Sequence, residues 1–124
     1  MSAPTELINW SHLMEMRSSL GDSALQRLVR LFEQNAAHLL QQIDRALASR
    51  AWERAAEQLR ALSGSLHSVG LPGPGQQAQA LQERLLASAP TPEWRRELNR
   101  VKQDLQHGSA CISVFLQPQS AVAW

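Results

Sequence analysis

The residues of this chain that could take part in chemistry are concentrated in one short helical segment. Arg60, Ser63, Gly64 and His67 are three or four positions apart, which places them on one face of a helix. His67 could act as a nucleophile, because a neutral imidazole carries a free lone pair. The guanidinium of Arg60 stays protonated and delocalised, so it can bind an anion but cannot accept an electrophilic group.

The helix that must position these side chains is predicted from Trp52 to Gly70. Its opposite face carries apolar residues at spacings of three and four: Ala55, Ala56, Leu59, Leu62, Leu66 and Val69. We therefore expect that face to be buried and the four polar positions to be exposed. Gly64 costs about 1 kcal/mol relative to Ala in mid-helix, so we expect a low spot where another surface approaches closely.

The order of residues in this segment resembles the signature of the histidine-containing phosphotransfer (HPt) domain. The family pattern is roughly Ala-His-x-Leu-Lys-Gly-Ser-Ala-x-x-Val-Gly, and this chain reads Leu-Arg-Ala-Leu-Ser-Gly-Ser-Leu-His-Ser-Val-Gly from Leu59 to Gly70. In this register, Arg60 stands at the position of the phosphoacceptor His. Ser63 stands at the position of the Lys that steadies the phosphoryl group. The matching positions are Leu62, Gly64, Ser65, Val69 and Gly70.

The resemblance covers about residues 9–116 and implies a role in bacterial two-component signalling. We expect an HPt-like interaction module of the cytoplasm, not an enzyme, that binds the receiver domain of a response regulator or a sensor kinase without phosphotransfer. The expected partner-binding residues are Arg60, Ser63, Gly64 and His67. An arginine at the acceptor position could donate bidentate hydrogen bonds to the carboxylates that surround the acceptor aspartate of a receiver domain.

Two other hypotheses stay open at this point. In the first, His67 lies about two turns after Arg60 and is a displaced acceptor, so that the protein is an active phosphocarrier. In the second, the chain is a helical adaptor or dimerisation module that retains only the fold. The oligomeric state and the identity of the partner do not follow from the sequence.

Four further helices are predicted around this segment by the same three/four periodicity. A short helix begins at Trp10 after the N-cap Asn9 and ends near Ser19. The others are expected over Ser23–Ser49, Gln76–Ala89 and Pro92–Leu116, with Thr91 as the cap of the last helix. The run Pro72-Gly73-Pro74-Gly75 is expected to keep the fourth helix from starting earlier. Inward residues are expected to include Trp10, Leu13, Met14, Leu25, Leu28, Val29, Phe32, Ala36, Leu39, Leu40, Ile43, Leu47, Ala78, Leu81, Leu85, Leu86, Leu98, Val101, Leu105, Ile112 and Phe115.

Short links between long amphipathic helices force neighbouring helices to run antiparallel. The sequence therefore predicts an all-α fold, an antiparallel up-down-up-down four-helix bundle with an additional short N-terminal helix. We expect one domain over residues 1–124, with an ordered core at about 9–116. Gly108 interrupts the last helix and predicts a bend or a close contact.

Composition argues against several other classes of protein. The 124 residues have a net charge of +1 with dispersed basic residues, which does not favour nucleic-acid binding. No signal peptide and no membrane span are expected, since no apolar run reaches about 18 residues. Cys111 is the one cysteine and is expected in the core. His12, His38 and His107 lie far apart, so no metal and no cofactor are expected.

Overall fold

The computed structural model describes residues 6–87 and 92–116, and these residues form five α-helices without a strand. The helices are α1 (Trp10–Leu20), α2 (Asp22–Ala48), α3 (Trp52–Ser68), α4 (Pro72–Ala87) and α5 (Trp94–Phe115). Helices α2 to α5 form the antiparallel bundle, and α1 lies across the end where α2 and α4 begin and α3 and α5 end. The predicted all-α bundle is confirmed.

Helix α3 contributes a continuous apolar face to the centre of the core. Its predicted inward residues are all buried, and Leu59, Leu62 and Leu66 have no accessible surface. Such a face stabilises the bundle because each fully buried leucine contributes about 1.5–3 kcal/mol relative to an exposed one. The same core cluster includes, from the other helices and from the α3–α4 link, Leu25, Phe32, Ile43, Leu71, Ala78, Leu81, Leu98, Val101 and Ile112.

The chain reverses direction between α2 and α3 within three residues. Arg50 adopts a positive φ of 59°, and the N–H of Ala51 donates to the carbonyl of Ala46 at 2.8 Å. This arrangement satisfies a carbonyl that the end of α2 would otherwise leave unpaired. The tight reversal places α2 and α3 side by side, as the short link predicts.

A second tight reversal joins α3 to α4 and explains two of the glycines. Gly70 has a φ of 87°, a left-handed conformation that glycine adopts without a steric penalty. The next residue, Leu71, is fully buried against Gly108 of α5, where an added Cβ would lie 2.5 Å from a Leu71 methyl carbon. The close contact predicted at Gly108 is therefore present, and it ties this corner to α5.

The start of α4 differs from the prediction. The helix begins at Pro72, not at Gln76, so the Pro/Gly run forms its first turn. The prolines are tolerated because the N–H groups of a first turn have no acceptor inside the helix. The N–H of Gly75 already donates to the carbonyl of Leu71 at 3.1 Å. The predicted end of this helix near Ala89 lies outside the described residues.

Helix α1 is held to the end of α3 by backbone and side-chain hydrogen bonds. The side chain of Asn9 accepts from the N–H of His12, which confirms the predicted N-cap. The N–H of Asn9 donates to the carbonyl of Gly70 at 2.8 Å, and Nε2 of His12 donates to the carbonyl of Ser68 at 2.9 Å. These bonds fix α1 beside the α3–α4 corner.

Some predicted inward residues are exposed. In α1 only Leu13 is buried, whereas Trp10 and Met14 are exposed and the Trp10 ring lies 5.3 Å from that of Phe115 at the edge of the bundle. Leu28 of α2 and Leu86 of α4 are also exposed. Leu28 and Leu86 are each adjacent in sequence to a buried residue of the same helix. Their side chains therefore project about 100° around the helix axis from that residue, outside the buried face.

Helix α5 and Cys111 differ in detail from the predictions. The helix begins at Trp94, two residues after Pro92, and the expected cap Thr91 lies outside the described residues. Phe115 and Cys111 are half-buried rather than in the core. Across 6–87 and 92–116, every helix is too short or too polar to span a membrane.

Replacing Leu62 by alanine tests the orientation of α3. The cavity left by a fully buried leucine should lower the free energy of unfolding by about 2–4 kcal/mol, measured by urea denaturation. The control is Leu31→Ala, because Leu31 is 59% exposed and its loss should change stability by less than about 0.5 kcal/mol. A loss below about 1 kcal/mol for Leu62→Ala would contradict the observed burial.

Candidate functional site

A groove of about 770 Å³ runs between α2 and α3 on the outside of the bundle. Arg60 and Gly64 lie on its α3 wall, and the exposed side chains of Leu28 and Leu31 lie on its α2 wall. The remaining lining residues are Phe32, Asn35, Glu57, Ala61, Ser65, Ser68 and Val69. The groove therefore combines an apolar ridge with a positively charged side chain.

The Arg60 guanidinium is exposed and has no ion pair within the described residues. Among the described residues that line the groove, Arg60 carries the positive charge and Glu57 the negative one. Lys102 of α5 is paired with Asp44 of α2 at 2.9 Å, whereas most of the arginines, like Arg60, have no ion pair among the described residues. Arg60 is thus available to an anionic group from outside the chain.

Gly64 leaves a low point in the α3 wall of the groove. A Cβ built at this position would have no neighbouring heavy atom within 4 Å, apart from the backbone of its own helix. No contact inside the described chain therefore requires glycine here. The prediction of a low, exposed spot at Gly64 agrees with this geometry.

Ser63 does not lie in the groove, and the prediction that it is exposed is wrong. Its accessible fraction is 6%, and its hydroxyl donates to the carbonyl of Gly75 at 2.8 Å. Ser63 projects about 60° around α3 from Arg60, on the side that faces α4. Because α4 begins four residues earlier than predicted, its first turn covers this side of α3.

His67 is exposed, as predicted, but its ring rests on α4 instead of lining the groove. A Cβ added to Gly75 would lie 2.9 Å from Nε2 of His67, so the ring occupies the space that the glycine leaves free. The four sequence-predicted residues therefore divide into two pairs. Arg60 and Gly64 line the α2–α3 groove, whereas Ser63 and His67 contact the start of α4.

The comparison with protein families matches the Hpt domain to residues 27–109, which is more than half of the chain. This chain belongs to the Hpt domain family. Hpt domains are phosphocarrier modules of phosphorelay signalling, and the matched region of this one contains both walls of the groove. Comparisons with curated proteins and with solved structures found no match.

Sequence reasoning missed several residues that line the groove of this Hpt domain. Leu31 is the clearest case, because it is an apolar residue outside the buried stripe of Leu25, Val29 and Phe32. An apolar side chain at an exposed helical phase is a signal that could have been used. Asn35 and Glu57 gave no such signal, since polar residues on an outer helix face are ordinary.

The described part of the Hpt domain shows no cluster of side chains suited to a metal ion. His12 bonds to the Ser68 carbonyl, and His38 lies 2.9 Å from the amide nitrogen of Gln42. These two imidazoles thus have separate local partners. The absence of a metal or cofactor in the functional protein stays a prediction.

Two glycine substitutions distinguish an open position from a filled one. Gly64→Ala should raise the free energy of unfolding by about 0.5–1 kcal/mol, because alanine favours the helix and its Cβ meets open space. Gly108→Ala is the matched control and should destabilise the Hpt domain, because its Cβ would collide with the fully buried side chain of Leu71. Thermal unfolding measures both, and destabilisation by Gly64→Ala would contradict the open position.

Proposed function

We propose that this Hpt domain is an interaction module of bacterial, cytoplasmic two-component signalling that binds a response-regulator receiver domain or a sensor kinase without carrying phosphate. The observation that carries the proposal is the environment of Arg60. At the position where the family motif has its phosphoacceptor, this chain presents an exposed guanidinium without an ion pair among the described residues, beside the low point at Gly64.

Loss of phosphotransfer follows from the chemistry of two side chains. Arg60 has no free lone pair at neutral pH, so it cannot form a phosphoramidate. Ser63 brings no positive charge to balance a phosphoryl group, and its hydroxyl is buried in a bond to the Gly75 carbonyl. Neither of these residues supports the reaction that the family motif performs.

Binding of a receiver is supported by the same surface. The carboxylates around an acceptor aspartate would give Arg60 bidentate, charge-assisted hydrogen bonds. The ridge of Leu28 and Leu31 would add apolar contact area that does not depend on salt. The missing side chain at Gly64 would let the partner approach the α3 backbone closely.

A second candidate function rests on the exposure of His67. An accessible imidazole could accept a phosphoryl group, and the protein would then be an active phosphocarrier. Its Nε2 faces the backbone of Gly75, so a phosphoryl group on that atom would require the ring to turn away from α4. A third candidate is a helical adaptor or dimerisation module that uses only the fold.

Phosphate uptake separates the first two candidates. Incubated with a phosphorylated receiver or an active hybrid kinase, the wild-type protein should take up no acid-labile phosphate, because Arg60 is not a nucleophile. Radiolabelled phosphate retained on the protein gives the measurement. Uptake that His67→Ala abolishes would favour the phosphocarrier.

The contribution of Arg60 to receiver binding is measurable by calorimetry after a pull-down has identified a receiver. Arg60→Ala should weaken binding by about 1–3 kcal/mol, because it removes charge-assisted hydrogen bonds to desolvated carboxylates. Added salt should weaken the wild type more than the variant. Arg96→Ala is the control, since Arg96 is an exposed arginine of α5 outside the groove and should be neutral. An affinity for the receiver that Arg60→Ala does not change would contradict the role of Arg60 and favour the adaptor candidate.

Restoring the family residues tests whether the scaffold still supports phosphotransfer. The double variant Arg60→His, Ser63→Lys should gain at least slow phosphate uptake from a kinase or receiver that the wild type binds. Position 63 is buried, so the methylene groups of the introduced lysine must extend outward until its ammonium reaches the surface. The single variant Arg60→His serves as the comparison, because it restores the nucleophile and keeps the Ser63–Gly75 bond.

A further inference from the structure

We infer that this Hpt domain self-associates into a weak dimer in which Arg60 of each copy pairs with Glu57 of the other copy. The two α3 helices run antiparallel across a two-fold axis, so both copies use the same surface. The inference concerns this chain alone, and it holds whether or not the domain also binds a receiver. It follows from the pattern of charges on the outer face of α3.

The outer face of α3 carries charged side chains that have no counterion in the chain. Glu53, Arg54, Glu57 and Arg60 are all exposed, and none of them forms an ion pair among the described residues. Glu57 and Arg60 are three positions apart on the helix, yet they do not pair with each other. Both side chains can therefore pair with charges from a second molecule.

The order of these charges makes the face complementary to itself. A two-fold axis perpendicular to α3 reverses the second helix, so a residue before the axis faces a residue after it. With the axis between positions 58 and 59, Glu57 of each copy lies opposite Arg60 of the other. Glu53 then lies opposite Gly64, where the missing side chain leaves room. The charges that meet across the axis are therefore of opposite sign.

Arg54 does not disturb this arrangement. At about 100° per residue, Glu57 projects about 60° around the helix axis from Arg60, whereas Arg54 projects about 120° from Arg60. Arg54 thus lies on the other flank of the face, in an adjoining pocket that it shares with Glu57 and Ala61. A two-fold axis brings equal flanks together, so Arg54 faces the neutral residues Ala61 and Ser65 of the second copy.

The interface is small, which makes the dimer weak. Ala61 and Gly64 are exposed on this face, and their size lets a second helix approach the α3 backbone. The exposed ridge of Leu28 and Leu31 borders the face across the groove. A contact made by one helix face and this ridge lies at the low end of specific interfaces, below about 1,200 Å². The charge pairs therefore decide whether the dimer forms.

The dimer also has a consequence that rests on the proposed function. Because the second copy occupies Arg60, the dimer cannot offer this guanidinium to an acidic receiver. Self-association and receiver binding then compete, and the apparent affinity for a receiver falls as the concentration of the Hpt domain rises.

Sedimentation velocity at low salt, over protein concentrations from about 10 µM to about 1 mM, measures the self-association. Glu57→Arg and Arg60→Glu should each weaken it at least about tenfold, because each variant places like charges opposite one another. An equimolar mixture of the two variants should form a 1:1 heterodimer at least as tight as the wild-type dimer, since both pairs are then of opposite sign. NaCl at about 0.5 M should weaken both dimers.

Glu33→Arg and Arg96→Glu are the matched controls. They make the same charge changes on other surfaces, since Glu33 lines a groove between α2 and α5 and Arg96 is an exposed residue of α5. Each control should self-associate as the wild type does, and mixing the two should give no tighter complex.

Three results would overturn the inference: a wild-type protein that stays monomeric up to about 1 mM, a dimer that both charge reversals retain, or a mixture of Glu57→Arg and Arg60→Glu that stays monomeric. A heterodimer in that mixture also shows that both variants are folded. Receiver binding is measured separately at concentrations where the Hpt domain is monomeric, so its failure would overturn the proposed function and leave the dimer in place.

Discussion

The close approach of α3 and α4 at Gly75 is the constraint on which the candidate site depends. Ser63 donates to the Gly75 carbonyl, and the His67 ring occupies the space where a side chain at Gly75 would be. This contact covers one side of α3 from the first turn of α4 onward. Ser63 is therefore closed to a partner, whereas Arg60 and Gly64 stay open along the α2 side of α3 and His67 stays exposed beside α4.

Few of the basic side chains in the described part of the bundle form ion pairs with a neighbouring helix. Lys102 and Arg84 form ion pairs with carboxylates of neighbouring helices, Asp44 and Glu97, so their charges are locally balanced. Such exposed pairs contribute little to stability, typically about 0–1 kcal/mol. Arg60, like Arg54 and Arg96, is exposed and has no such pair among the described residues.

Helical periodicity predicted the parts of the fold that depend on one helix at a time. The buried face of α3 and the N-cap at Asn9 followed from spacing and residue type, and at Gly108 the sequence predicted either a bend or the close contact that is present. The start of α4 did not, because the rule against proline in helices does not apply to a first turn. The burial of Ser63 was missed because the residues that cover it belong to this first turn of α4. Periodicity gives the angle of a side chain around its own helix, but not which neighbouring helix covers that angle.

The packing of Leu71 against Gly108 has a consequence for the rate at which a partner associates with this Hpt domain. Because Leu71 is fully buried and joins the α3–α4 corner to α5, the α3 wall of the groove cannot shift without opening the core. A partner therefore meets a preformed backbone, and the groups that it orders are the exposed side chains of the groove. Rigid docking of this kind has association rate constants of about 10⁵–10⁷ M⁻¹ s⁻¹ that vary little among related partners. Under the proposed function, selectivity among receivers would then reside in the dissociation rate of each complex.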